Sequence, residues 1–131
     1  MPIDIPLDNW PGAVKTVTLG ATSDQGGTRS STVTIGGDQS LPFMHFENPT
    51  LNRPVIAMEI APVRPSDWSA VLLEAWGEVI DDPAAWAKAC EEAGADLIVL
   101  LFGLKGPDGE PVTADFAVSS VKTVLEATGL P

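Results

Sequence analysis

The sequence predicts an α/β fold: a β-hairpin followed by β, α, β and α elements of the kind that open a parallel barrel or a doubly wound sheet. Three observations predict it. Thr16 to Leu19 and Thr32 to Ile35 alternate β-branched side chains on either side of a linker, Gly20 to Ser31, rich in Gly, Ser, Thr and Asp, which is a hairpin signal with a long tip. Val55 to Ile60 (VIAMEI) and Ala95 to Phe102 (ADLIVLLF) are nearly continuous apolar runs, the pattern of strands buried on both faces of a parallel sheet. Segments of helical spacing stand between and after these runs, and Gly77, Gly94 and Gly129 stop them.

Each element has a local cause. Met1 to Gly12, with Pro2, Pro6 and Pro11 around Trp10, is an irregular lead-in. Gly36 to Phe43 (GGDQSLPF) cannot continue a ladder, because Gly weakens a strand and Pro lacks a donor, so the chain turns there. A short helix over Asp67 to Gly77 places Val71, Leu72, Ala75 and Trp76 on one stripe. In the next helix Asp82 is the N-cap, Pro83 occupies the first turn and Gly94 is the stop, with Trp86, Ala89, Cys90 and Ala93 forming a small-residue stripe. Gly103 to Pro111 reads as a turn-rich loop. Thr113 to Thr128 then closes with a helix expected to bury Val118, Val121, Val124 and Leu125.

A chain of 131 residues is expected to form a single domain over 1–131, with residues 1–54 as lead-in and hairpin and residues 55–131 as two βα units. A complete barrel takes on the order of 250 residues, so the expectation is an incomplete one, a piece of a larger subunit; the alternative is a small two-layer domain. Net charge is −11, from 18 acidic and 7 basic residues, a balance that repels nucleic acid and anionic membranes. The one cysteine, Cys90, rules out an internal disulfide, and no apolar run is long enough to span a bilayer; a cytoplasmic location is expected.

The candidate chemistry is sparse. Gly26-Gly27-Thr28-Arg29 and Gly36-Gly37-Asp38 fit neither the phosphate-loop nor the dinucleotide fingerprint, and turn geometry accounts for both. His45 has no second histidine to share a metal and reads as structural. Glu47 and Glu59 draw more interest. Glu59 falls near the carboxyl end of the first parallel strand, where barrel enzymes place their chemistry, and burial there would call for a partner such as Arg29 or Arg53. With Gly103, at the end of the second strand, it defines a strand-end surface suited to docking. Cys90 reads as packing, and one thiolate cannot hold an iron-sulfur cluster. Trp10, Trp68, Trp76 and Trp86 read as helix packing, not as a stacking platform.

A set of linked segments carries a resemblance. Leu19-Gly20-Ala21-Thr22, Asp24 to Ser30 (DQGGTRS), Ile35-Gly36-Gly37, Leu41-Pro42-Phe43, His45-Phe46-Glu47, Asn52-Arg53-Pro54 and Ile56 to Glu59, continued by Asp81 to Leu100, resemble the small subunit of the corrinoid iron-sulfur protein, the delta subunit family of the acetyl-CoA decarbonylase/synthase complex. The match runs roughly from Ala13 to Ile98. The loop Phe102 to Glu110 departs from it, being longer and richer in glycine.

The resemblance implies a TIM (β/α)8 barrel, begun here by a hairpin and the first βαβα units, in a non-catalytic subunit. It implies a heterodimer with the large subunit, which would hold the cobalamin-type corrinoid and the 4Fe-4S cluster, so that this chain alone binds no cofactor and no metal. The pair would take a methyl group from a methyl-tetrahydropterin of the methyltetrahydrofolate type through a methyltransferase. It would pass that group to acetyl-CoA synthase in the Wood-Ljungdahl pathway of carbon fixation, meeting both enzymes transiently. Two other readings compete: a pterin-binding corrinoid methyltransferase barrel acting alone, and a small non-catalytic binding module.

Overall fold

The computed structural model describes residues 3–4, 12–39 and 51–131. The expectations for most of the lead-in, including Trp10, for the turn at Leu41 to Phe43, and for His45 and Glu47 lie outside them. The described residues form a mixed α/β structure with two short sheets and three α-helices. The chain divides into two compact units, one of Met1–Leu19 with Thr34–Pro54 and the other of Gly20–Val33 with Val55–Pro131.

The first unit carries the hairpin stem. Strand β1 (Val17–Leu19) pairs with β2 (Val33–Ile35). Val14 donates to Asp38 O at 2.8 Å and accepts from Gly37 N at 2.8 Å, while Thr18 and Thr34 join hydroxyls at 3.1 Å. Positions rise on one strand as they fall on the other, so the pair is antiparallel, as a hairpin requires. Gly36 has φ +82° and would drive a Cβ into the Lys15 carbonyl, which explains its residue type without any ligand.

The second unit holds the α/β core. Strand β3 (Ala57–Ile60) lies parallel to β4 (Leu97–Leu100), with Ala57 opposite Leu97 and Ile60 opposite Leu100. The two apolar runs are thus neighbouring strands of one parallel pair, in line with the parallel-sheet pattern of the sequence. Between them come α1 (Ala70–Trp76), a 3₁₀ turn over Gly77–Asp81, and α2 (Pro83–Glu92). The Ser69 side chain caps α1 by accepting from Leu72 N, which starts that helix later than Asp67. Asp82 caps α2 by accepting from Ala84 N at 2.9 Å, with Pro83 at the first position, as the sequence indicates. Helix α3 (Ala114–Ala127) follows β4 and is capped by Thr113, which accepts from Phe116 N.

Ile60, Ile80, Trp86, Ala87, Cys90, Ala95 and Val124 form the buried core of this unit. Trp86 is its largest member. The Trp68 ring meets it edge-on at 5.4 Å and the Trp76 ring tilted at 6.1 Å, an arrangement that suits the ring quadrupoles. Three of the four tryptophans are thus packing groups, as expected.

Several burial expectations are corrected. VIAMEI and ADLIVLLF are not buried on both faces: Ala57, Glu59 and Leu101 are exposed, and burial along β3 alternates because the core covers the face of Met58 and Ile60 and leaves the face of Ala57 and Glu59 open. On α1 the inward residues are Leu73 and Trp76, while Val71 is 75% exposed. The α2 stripe is Trp86, Ala87 and Cys90; Ala93 is the exposed C-cap, since the helix ends at Glu92. On α3 only Ser120 and Val124 are buried, and Val118, Val121 and Leu125 remain exposed, because the helix meets α2 through its other side.

Candidate functional site

A cleft of about 830 Å³ opens at the carboxyl ends of β3 and β4. Its position follows from the strand pairing. Parallel strands send their next loops out of the same edge, so Ala61–Ser66 and Gly103–Pro111 rise side by side with the cleft between them. Glu59 on β3 and Gly103 in the loop after β4, both singled out from sequence, line it.

The walls are mostly carbon. Trp68 and Trp86 form one aromatic edge, and Phe102 with Phe116, in T-shaped contact at 6.5 Å, forms the other. Pro62, Val63, Leu104 and Val112 fill the spaces between them. Charged groups are few: Glu59, Arg64, Asp67 and Lys105. Arg64 is held outside α2 by Asp81, whose two carboxylate oxygens accept from Nη1 at 2.7 and 2.8 Å. Both partners are about half exposed, so the pair contributes little to stability but fixes where the guanidinium stands.

The loop beside Gly103 is internally braced. Gly106 N donates to Glu110 O at 2.7 Å, the Asp108 side chain accepts from Glu110 N at 3.1 Å, and Lys105 bridges antiparallel to Pro111. That bracing leaves Leu104 93% exposed at the rim. Nothing in the sequence marked this residue; the loop had to fold before its outward direction was visible. The indole N–H of Trp86, at the inner end of the cleft, is buried without a hydrogen-bond acceptor among the described residues.

Other candidates are placed elsewhere. Glu59 is exposed, so it needs no buried partner. Arg29 serves a different end: its guanidinium donates to the carbonyls of Thr128 (2.8 Å), Leu130 (3.2 Å) and Leu125 (2.7 Å) at the end of α3. The Gly26-Gly27 turn is structural: Gly26 has φ +78°, and a Cβ on Gly27 would overlap the Ala21 carbonyl. Cys90 is fully buried, and desolvation pushes its thiol above the usual value. Among the described residues no three His, Cys, Asp or Glu side chains come together as a metal set, and no helix is long and apolar enough to cross a membrane.

No family model matches the sequence. Curated relatives do match. The delta subunit of the acetyl-CoA decarbonylase/synthase complex from Archaeoglobus fulgidus is 38% identical over 125 residues, 95% of this chain and 27% of that protein. Delta subunit 1 from Methanosarcina thermophila is 33% identical over 126 residues, 95% of this chain and 28% of its own length. The Methanopyrus kandleri delta subunit is 27% identical over 121 residues, 92% of this chain and 30% of its own length. The chain therefore spans less than a third of these relatives. Along nearly all of its own length the chain is similar to a part of the delta subunits of the acetyl-CoA decarbonylase/synthase complex.

Proposed function

We propose that this chain contributes the opening hairpin and first two βα units of a TIM-barrel small subunit, and that its strand-end face docks on a corrinoid-carrying large subunit. The observation that carries the reading is the cleft itself. It lies at the carboxyl edge of parallel strands, where barrels place their function, and its rim presents Leu101 and Leu104 to solvent. The names of the relatives supply the complex in which such a face would act.

The cleft has aromatic and aliphatic walls with a few charges at the rim, a chemistry that fits the edge of a large, mostly apolar ring better than a phosphate or a bare metal ion. Held by the partner, a corrinoid would have one face covered here; bound in that position it would supply the cobalt that carries the methyl group. This chain's own residues do three simpler things. Trp68, Phe102 and Phe116 exclude water, Lys105 and Arg64 set the charge of the rim, and Leu104 makes the first apolar contact. In this role the chain is a non-catalytic component of methyl transfer from a methyl-tetrahydropterin to acetyl-CoA synthase, located in the cytoplasm.

The test is co-expression of the chain with a delta-subunit partner, the corrinoid iron-sulfur large subunit, followed by affinity capture and cobalamin absorbance. Capture of the loaded large subunit, with no corrinoid on the chain purified alone, is the expected result. Stoichiometric corrinoid on the chain alone, or methyl transfer without the partner, would replace this reading with a pterin-binding methyltransferase.

A further inference from the structure

Between β4 and α3 the chain closes on itself. Val112 N donates to Leu104 O at 3.3 Å, Lys105 bridges antiparallel to Pro111, Gly106 N donates to Glu110 O at 2.7 Å, and Gly109 N donates to Gly106 O at 3.1 Å. Among the described residues, every hydrogen bond of residues 103–112 stays inside that segment. No residue from 103 to 111 is buried. A segment stiffened from within and tied to the body only at its ends moves as one piece, because bending it breaks its own rungs and swinging it breaks none.

Its two ends set the pivot. A Cβ added at Gly103 would meet, beyond the chain neighbours, only the Lys105 backbone at 3.8 and 4.0 Å, so nothing in the body of the unit packs on that position. At the far end Thr113 fixes the start of α3 by accepting from Phe116 N at 3.2 Å. The segment also carries one large side chain without cover: Leu104 lines the cleft yet is 93% exposed. Swung over an empty cleft of about 830 Å³, that leucine would face a void, whereas over a filled one it gains contact and leaves water.

We infer that residues 104–112 form a flap that swings as a rigid piece about Gly103 and closes over a flat apolar occupant of the cleft, bringing Leu104 onto it. The walls set the class of occupant. Aromatic edges from Trp68 and from the Phe102–Phe116 pair, with few charges between them, receive a flat and largely uncharged molecule. Closure then excludes water from the filled cleft, as hinged loops do elsewhere. What fills the cleft in a complex rests on the reading proposed above, whereas the flap does not.

The experiment uses the full chain and Nile red, a flat, neutral aromatic dye. In the free chain, NMR relaxation dispersion should give the amides of Gly106, Gly109 and Val112 one shared exchange rate on the microsecond-to-millisecond scale. Saturating dye should suppress that exchange, and relaxation of the Leu104 methyl groups by a dissolved gadolinium chelate should fall about threefold as the side chain leaves solvent. Gly103 is outside the left-handed region and its surroundings admit a side chain, so Gly103→Val keeps the resting structure while its branched side chain stiffens the pivot. Its unfolding midpoint should match that of the parent, and its dye affinity should fall by about fivefold, because the closed state is harder to populate. Should Gly103→Val fail to fold, the shared exchange rate and its suppression decide. The inference is overturned by amides that move independently or not at all, by absence of dye binding, by bound dye that leaves Leu104 as exposed as before, or by a folded Gly103→Val with parental affinity. The large subunit takes no part in this assay, so failure of docking and failure of the flap are read separately.

Discussion

The Arg29 guanidinium donates to the Thr128 carbonyl at 2.8 Å across 99 positions of sequence, and it reaches the Leu125 and Leu130 carbonyls as well. Helix α3 has no basic residue in its own last turn, so the hairpin tip supplies the cation that its carbonyl end favours. The planar fork reaches them from two nitrogens, Nη1 to Thr128 and Leu130 and Nη2 to Leu125, a spread that a lysine would have to cover from one atom.

Arg29→Ala should lower stability by about 2–4 kcal/mol, since each charge-assisted bond contributes roughly 1.5–3 kcal/mol and the three are not additive. Arg29→Lys should recover less than half of that. Urea unfolding followed by tryptophan fluorescence measures both, and a loss below about 0.5 kcal/mol for Ala would contradict the assignment.

Two neighbouring glycines should respond differently to alanine. At Gly26 a Cβ meets nothing, so the cost is that of the left-handed backbone, about 1 kcal/mol. At Gly27 a Cβ overlaps the Ala21 carbonyl, so backbone must shift and the cost should be about 2–3 kcal/mol. Equal unfolding midpoints would show that the tip relaxes freely.

Trp86→Ala should cost about 3–5 kcal/mol, because it empties the centre of the tryptophan cluster. Trp86→Phe should cost clearly less. It keeps an aromatic ring against Trp68 and removes an indole N–H that has no acceptor among the described residues. A Phe variant as unstable as the Ala variant would mean that the N–H is satisfied in solution.

Burial raises the Cys90 thiol, so the folded chain keeps its proton at a pH where the unfolded chain has lost it. Stability from this group is complete below the ordinary thiol value of about 8.5 and declines as pH rises from there toward the folded value. Unfolding midpoints should therefore fall between about pH 8 and pH 10, more steeply than in Cys90→Ala. Parallel curves would remove Cys90 as a cause.

Leu104→Asp should leave the unfolding midpoint unchanged, because the side chain is 93% exposed. In the capture assay with the large subunit it should weaken binding by about tenfold, or about 1.4 kcal/mol. Unaltered capture would move the docking face away from the cleft rim.

By itself the sequence determined the local order of this protein: the hairpin with its Gly26-Gly27 tip, the Asp82-Pro83 helix start, the two apolar strands and the packing role of the tryptophans. These are set by φ preferences, caps and periodicity over a few residues, which a linear reading can see. The strand-end placement of Glu59 and Gly103 was also legible, since parallel strands expose their carboxyl ends together. Only the tertiary structure decided which side of each element is inward. Val121 and Leu125 read as core by spacing but remain exposed, and Glu59 lies exposed and needs no salt bridge. Burial depends on which neighbour covers a face, and that neighbour is distant in sequence. Arg29 is the clearest case: its residue type is written in the hairpin, but its partners are carbonyls of α3 and the residues just after it, brought beside it by the packing of the whole unit.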